Sequence, residues 1–259
     1  MTGGQRTIAV SARNLTVRYG GVAAIDNVCI DIVEGDYLGI IGPNGGGKTT
    51  LLKAILGMVR PSEGEVRIYG KKPSEAGGIV GYVPQVASMN KTFPATVREV
   101  VAMAKLKPEI SFFHKYSPEE LNSADVAMEN AGILDLGNKK VSELSGGQFQ
   151  RMLIARAISH GPRVLLLDEP TANVDATSRT GIYELLEKLN GNMTIVMVTH
   201  DMLAVSSQVR SLACLNVRLV YHGESEISDE TIHELYGCPI DLLAHGVPHR
   251  VLRQHKDGE

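Results

Sequence analysis

Apolar residues occur along the chain in short runs whose spacing predicts the order of strands and helices. Near the N-terminus, apolar and polar residues alternate over 8–10, 15–19 and 28–33, with Asn and Gly-Gly between the runs. This alternation predicts short strands, broken by turns, that form a small antiparallel layer. Further strands are predicted at 37–41, 65–69, 79–83, 163–167, 194–198 and around 212–220, with helices at 49–56 and around 179–189.

Between Gln85 and Gly161 the spacing of the apolar residues becomes helical. Thr96 and Glu99 are placed as a capping box at the start of one helix. A second helix is predicted to begin at Ser117, where a cap residue is followed by a proline and two acidic residues. This middle third is therefore predicted to be a helical insert. The strands that alternate with helices around it predict a mostly parallel sheet covered by helices.

Composition limits the classes of protein to which the chain can belong. Its 259 residues are 43% hydrophobic with a net charge of −3, which suits one large domain or two intergrown ones. The balanced charge, with no long basic run, gives no reason to expect nucleic acid as a partner. The apolar runs are shorter than the roughly 20 residues of a spanning helix, and the N-terminus lacks a secretory signal. The three cysteines fit reduced cytosolic thiols.

A glycine-rich turn lies between the strand 37–41 and the helix that follows it. This phosphate loop, with the first residues of the helix, consists of Gly42, Pro43, Asn44, Gly45, Gly46, Gly47, Lys48, Thr49 and Thr50. Glycines let successive backbone N–H groups converge on phosphate oxygens, and the helix N-terminus adds a positive dipole end. Lys48 is predicted to reach the β- and γ-phosphates, and the Thr49 hydroxyl to bind Mg²⁺.

Two carboxylates, Asp168 and Glu169, follow the apolar strand at 163–167. A buried parallel strand delivers such residues to the carboxyl edge of its sheet, where α/β proteins bind ligands. Asp168 can hold Mg²⁺ or its water, and Glu169 can take a proton from an attacking water. Acidic residues at a strand end are common in turns, so this pair alone is weak evidence for a nucleotide site. Together with the phosphate loop it is strong evidence.

A second anion-binding helix start lies about 20 residues before Asp168. This signature segment is Leu144, Ser145, Gly146, Gly147 and Gln148. Its serine and glycines could also form an ordinary N-cap with a flexible entry. With the phosphate loop and the strand-end acids, however, the complete segment makes the chain resemble the ATP-binding subunit of an ABC transporter.

The resemblance covers nearly the whole chain and implies its fold. The expected class is α/β, a P-loop NTPase of the ABC ATPase type. Its RecA-like parallel sheet would carry an N-terminal antiparallel β layer and an inserted helical subdomain. The nucleotide-binding core would comprise 1–88 and 162–222, the helical signature subdomain 89–161, and a C-terminal extension 223–259.

The resemblance also assigns roles outside the phosphate loop. Tyr19 matches an aromatic residue that stacks on adenine, with packing on its own sheet as the alternative. Gln85 matches a glutamine that senses Mg²⁺ and water, and His200 a histidine that bonds the γ-phosphate. Asp175 matches a loop that crosses between subunits, although it also suits a helix N-cap. The signature residues Ser145, Gly146, Gly147 and Gln148 would close the nucleotide of a second copy.

Some positions depart from the commonest family pattern. Gly46 stands where serine is frequent, which is expected to add freedom to the loop, and Asn173 and Val174 replace a more usual pair. The segment 137–143 lacks the glycine-and-glutamate run of exporter subunits and so favours an importer. The segments 93–101, 235–239 and 244–250 look like those of zinc, manganese or iron importers, but could equally be a general permease-contacting helix and a docking tail.

The expected function is ATP hydrolysis, with Mg²⁺, coupled to metal-ion import. The implied partners are integral-membrane permease subunits, a second copy of the chain and, indirectly, an extracytoplasmic substrate-binding protein, at the cytoplasmic face of the membrane. The alternatives are an importer ATPase for another substrate, an ABC-type ATPase not coupled to transport, and a small-molecule kinase. A kinase would not need the signature segment or His200.

The C-terminal segment contains His222, His233, Cys238, His245, His249 and His255. Imidazole and thiolate suit zinc. His245 and His249 would share a helical face, but Gly246 and Pro248 break a helix, and no paired-cysteine element supplies further ligands. The segment is therefore predicted to be a packing or docking element.

Overall fold

The computed structural model describes residues 7–85, 94–105, 116–172, 174–200 and 208–224, and the backbone of 242–243 and 249–250. The strands are β1 (Ile8–Tyr19), β2 (Val22–Val33), β3 (Tyr37–Ile41), β4 (Glu63–Ile68), β5 (Val80–Val83), β6 (Val164–Asp168), β7 (Thr194–Val198), β8 (Ser211–Asn216), β9 (Arg218–Glu224), β10 (Leu242–Leu243) and β11 (His249–Arg250). The α-helices are α1 (Lys48–Ile55), α2 (Val97–Ala102), α3 (Pro118–Asn130), α4 (Gly146–Ile158) and α5 (Ala176–Asn190).

The main sheet has six strands in the order β5-β6-β7-β3-β8-β9. Every pair is parallel except the last, β8 with β9. Alternate residues of β6 enter different cores: Leu165 and Leu167 pack with the helices α2 to α5, whereas Val164 and Leu166 pack with α1 and the antiparallel layer. A parallel sheet covered on both faces is confirmed. Its topology brings the residues that follow β3, β6 and β7 to one edge.

The antiparallel layer contains β1 between β2 and β4. The prediction that an asparagine turn breaks β1 into two strands is wrong. Asn14 has a φ of 48°, a left-handed conformation that asparagine tolerates. The pairing register shifts around it, between Ala12 and Leu15, while the strand continues. The turn-forming residue therefore produces an irregularity inside one long strand.

The single strand predicted around 212–220 is in fact a hairpin of β8 and β9. Val217, at its turn, has a φ of 60°, which is costly for a β-branched residue. Its N–H donates to the Gly46 carbonyl at 3.0 Å, and its own carbonyl accepts a hydrogen bond from the Asp26 N–H at 2.8 Å. These long-range bonds hold a turn that the local sequence does not predict.

The helical region begins with the predicted caps. The Thr96 N–H donates to the Glu99 carboxylate at 2.7 Å, and Ser117 and Glu120 form the same arrangement before α3. Helices α2, α3 and α4 pack into one core. In the described part of the chain, no helix is long and apolar enough to cross a membrane.

Several predictions concern residues outside the described ranges. They include Asn173, the start of the segment 93–101, and most of the predicted C-terminal extension, with the histidines at 233, 245 and 255 and the cysteine at 238. In that extension the backbone of β10 pairs antiparallel with the backbone of β11.

Candidate functional site

The phosphate loop connects β3 to α1 at the carboxyl edge of the main sheet. Gly47 is the N-cap of α1 with a φ of 91°, a conformation that glycine adopts without steric cost. A Cβ at this position would collide with the Ala24 carbonyl of β2. A Cβ on Gly46 would lie 2.9 Å from the Leu215 carbonyl oxygen of β8. Close packing against β8 therefore explains the glycine at 46 better than added freedom of the loop.

The Lys48 ammonium lies inside this loop. The side chain is buried, and Nζ donates to the carbonyl oxygens of Gly42 and Pro43 at 2.9 Å each. Burial lowers the pKa of Lys48, while the carboxylates of Glu169 and Asp168 act in the opposite direction. The lysine charge is thus held between the loop backbone and the two acids that follow β6.

The side chains of Thr49 and Asp168, both predicted to bind Mg²⁺, lie in contact. The Thr49 hydroxyl donates to Asp168 Oδ1 at 3.2 Å, and Asp168 is only 4% exposed. Burial raises the pKa of the Asp168 carboxyl, opposed by the Thr49 hydrogen bond and by nearby lysines. Hydroxyl and carboxylate oxygens suit Mg²⁺, which keeps water and substrate oxygens as its other ligands.

Replacing Asp168 by Asn is expected to raise the melting temperature of the nucleotide-free protein at pH 7. Because burial raises the Asp168 pKa, the ionised carboxylate is less stable in the folded chain than in the unfolded one. That penalty is complete above the folded pKa, declines as pH falls through it, and is absent below the unfolded value of about 4. An increase of about 2–4 °C corresponds to roughly 1 kcal/mol in a protein of this size.

Thermal unfolding measured from pH 7 to about 3.5 tests this expectation, since the difference between variant and wild type should shrink toward zero on acidification. The exposed Asp135→Asn is the matched control. A lower melting temperature for Asp168→Asn at pH 7 would show that the ionised carboxylate stabilises the folded chain.

Glu169 lies at the centre of a group of polar side chains. Gln85 Nε2 donates to Glu169 Oε2 at 2.9 Å, and His200 Nδ1 lies 3.5 Å from Oε1. The Glu169 backbone has a φ of 48°, and its N–H donates to the Val198 carbonyl of β7. Left-handed conformations of residues other than glycine are strained and concentrate at functional sites. Two predicted residues from separate parts of the sequence, Gln85 and His200, therefore converge on the carboxylate of a third, Glu169.

These side chains line a cavity of about 280 Å³. Its lining comprises Gln85, Glu169, Thr171, Ala172, Arg179, Thr199 and His200. Thr171, Arg179 and Thr199 are lining residues to which the sequence motifs assign no role. Arg179 lies one helical turn after Asp175 in α5, so the helix beginning at that cap could have indicated it.

Ser145 and Asp175 begin two further helices. Ser145 is the N-cap of α4 and forms a capping box with Gln148. Asp175 is the N-cap of α5, and its Oδ1 accepts a hydrogen bond from the Ser178 N–H at 2.9 Å. That bond is the main cause of a lowered Asp175 pKa. Both residues therefore have the N-cap geometry that the sequence offered as the alternative. The loop that contains Ser145 ends at the N-terminus of α4, and the loop that contains Asp175 ends at the N-terminus of α5.

Tyr19 is 50% exposed at the end of β1, beside the Gly20-Gly21 turn. This exposure disfavours the alternative in which the ring packs into its own sheet. Among the residues described, no group of three or more His, Cys, Asp or Glu side chains is arranged to hold a metal ion.

Comparison with known families finds a match to the ABC transporter family over residues 25–172. The chain is 35% identical over 243 residues to a probable metal transport system ATP-binding protein of Thermotoga maritima, covering 93% of this chain and 95% of that one. It is 35% identical over 240 residues to the zinc uptake system ATP-binding protein ZurA of Listeria monocytogenes, covering 91% and 92%. It is 37% identical over 238 residues to the manganese transport system ATP-binding protein MntB of the same species, covering 91% and 99%.

Solved structures give a concordant result. A chain of a metal-chelate type ABC transporter in an inward-facing conformation superposes with a TM-score of 0.80 at 30% identity, covering 94% of this chain and 98% of that one. The ATP-binding cassette MJ0796, in a dimeric post-hydrolysis state bound to ADP and Pi, superposes with a TM-score of 0.69 at 30% identity, covering 85% and 100%.

Proposed function

The chain belongs to the ABC transporter family of ATP-hydrolysing subunits, and from this premise we propose that it couples ATP hydrolysis to metal-ion import through a partner permease. The observation that carries the hydrolytic part is the convergence of Gln85 and His200 on the Glu169 carboxylate. The metal part is supported by the names of the relatives, which include zinc and manganese systems.

The phosphate loop would bind the nucleotide. Its backbone N–H groups and the start of α1 supply hydrogen bonds and a positive dipole to the phosphate oxygens. The Lys48 ammonium, which already lies within the loop, would exchange its bonds to the Gly42 and Pro43 carbonyls for phosphate oxygens. Because burial disfavours its isolated charge, an anion at this point would stabilise the charged form.

Thr49 and Asp168 would hold Mg²⁺, with Gln85 beside them. A bound Mg²⁺ neutralises charge that develops on the phosphate oxygens. The buried Asp168 carboxylate, whose ionised form is disfavoured in the chain alone, would be stabilised by a cation at the Thr49 hydroxyl.

Glu169 would act as the general base. Its carboxylate opens onto the cavity that could hold the attacking water, and Gln85 and His200 fix its orientation from two sides. His200, 61% exposed in its side chain, would also bond the γ-phosphate. A positioned base of this kind accelerates proton transfer by about 10²–10⁴-fold.

The active unit would be a pair of chains. ABC ATP-binding subunits dimerise, as MJ0796 does. We infer a head-to-tail pair in which Ser145, Gly146, Gly147 and Gln148 of one copy close the nucleotide held by the phosphate loop of the other. Asp175 would cross between the copies, and the exposed ring of Tyr19 would stack on adenine.

The remaining partners would be permease subunits in the membrane, contacted from the cytoplasmic face, and indirectly an extracytoplasmic substrate-binding protein. Purification of the tagged chain from mild-detergent membrane extracts of its native host tests this. A multi-span permease should copurify in a fixed ratio with it. Recovery of an active ATPase exclusively from the membrane-free fraction would instead support an ABC-type ATPase that is not coupled to transport.

A further inference from the structure

Arg151, in the second turn of α4, links three helices through its guanidinium group. Nη1 donates to the Ala131 carbonyl at the end of α3 at 2.8 Å, and Nη2 donates to the Gly181 carbonyl within α5 at 2.7 Å. Hydrogen bonds from a charged donor are stronger than neutral ones, and the planar guanidinium fixes their directions. Arg151 therefore sets how far α4 lies from α5.

Helices α4 and α5 also contact each other one turn closer to their N-termini. A Cβ on Gly147 would lie 2.6 Å from the Ser178 Cβ, so the Gly147 backbone packs directly on that side chain. Gly147 and Arg151 are four residues apart on one face of α4, while Ser178 and Gly181 are three apart on one face of α5. Contact at two successive positions fixes both the separation and the relative rotation of the helices.

Gly181 provides the space that Arg151 occupies. A Cβ at this position would lie 2.8 Å from Arg151 Nη2, too close for the present hydrogen bond. Glycine in a helix interior is less favourable than alanine by about 1 kcal/mol. The glycine in α5 therefore has a packing reason, which is the guanidinium group of α4.

We propose that Arg151 is a positioning residue that holds the Ser145 loop and the Asp175 loop in one fixed arrangement. Ser145 begins α4 and Asp175 begins α5, so a rigid connection between these helices makes their N-termini move together. The inference rests on the proposed function, in which both loops engage the second copy. The phosphate loop precedes a different helix, α1, so the affinity of an isolated chain for nucleotide does not depend on this connection.

Gly181→Ala separates positioning from folding. The added methyl group displaces the guanidinium, but the higher helix propensity of alanine, about 1 kcal/mol, offsets much of the lost hydrogen bond, so the melting temperature should stay within about 4 °C of the wild-type value. Maximal ATP turnover should fall by roughly 10–10²-fold, as expected for misplacement of groups around a reacting site by about 1 Å. The Kd for ATP, measured on dilute protein, should remain within about twofold of the wild-type value. Thr180→Ala, at an exposed neighbouring position of α5, should change none of these quantities.

A double-mutant cycle with Arg151→Gln tests whether the two residues act through the same contact. Turnover of the double variant should be no lower than that of the less active single variant. Either substitution alone already removes the contact between Arg151 and Gly181, so the second removes nothing further. Provided that the wild-type chain hydrolyses ATP, either of two results would overturn the positioning role of Arg151. One is a double variant whose loss of turnover is the product of the two single losses, and the other is a Gly181→Ala protein with wild-type turnover. A wild-type chain without ATPase activity would instead overturn the proposed function.

Discussion

The Glu169→Gln protein is expected to bind ATP normally but to hydrolyse it about 10²–10⁴-fold more slowly than the wild type. Glutamine has the shape of glutamate, and its carbonyl oxygen can still accept the hydrogen bond from Gln85 Nε2. What the amide lacks is the basicity that takes a proton from the attacking water. Binding should persist because the phosphate loop and Lys48 are unchanged.

Phosphate release under single-turnover and steady-state conditions, together with nucleotide titration, measures both quantities. Glu184→Gln, at an exposed position of α5, makes the same chemical change away from the cavity and should leave turnover unaltered. Near-normal hydrolysis by Glu169→Gln would remove Glu169 from the role of general base.

Mixing two inactive variants, Lys48→Ala and Ser145→Arg, is expected to restore part of the ATPase activity. In a head-to-tail pair each site combines Lys48 of one copy with Ser145 of the other, so a mixed pair contains one intact site. If the chains pair at random and the sites act independently, up to about a quarter of the wild-type activity should return. Each variant alone has no intact site.

The matched control replaces the Ser145→Arg chain by one that carries both substitutions. Mixed with Lys48→Ala chains, it offers no intact Lys48 and should restore nothing. Ser145 is the N-cap of α4, so its replacement costs roughly 1 kcal/mol, and the melting temperature of each variant must be recorded. Full wild-type activity at concentrations where the protein is strictly monomeric would contradict the shared site.

The parallel sheet and most of the site could be predicted because they depend on local signals. The run before Gly42 and the run before Asp168 are strands buried on both faces, and both deliver polar residues to the same edge. The caps at Thr96 and Ser117 are also encoded within four residues each.

Other features depend on contacts that are distant in the sequence. The turn at Val217 is held by bonds to Gly46 and Asp26, and nothing within the hairpin favours a β-branched residue there. The link from Arg151 to Gly181 spans 30 residues and becomes visible only when α4 and α5 pack together. Hydrophobic periodicity reports which face of a helix is buried, but not which carbonyl group a half-buried arginine will contact.

Metal uptake by the native host tests the central claim most directly. Cells that carry Glu169→Gln in place of the wild-type chain, at equal protein levels, should lose energy-dependent accumulation of at least one of zinc, manganese or iron. Expression of the wild-type chain should restore that accumulation, whereas Glu184→Gln cells should match the wild type throughout. Unchanged uptake of all three metals, in cells whose purified Glu169→Gln protein no longer hydrolyses ATP, would contradict the proposed coupling of hydrolysis to metal import.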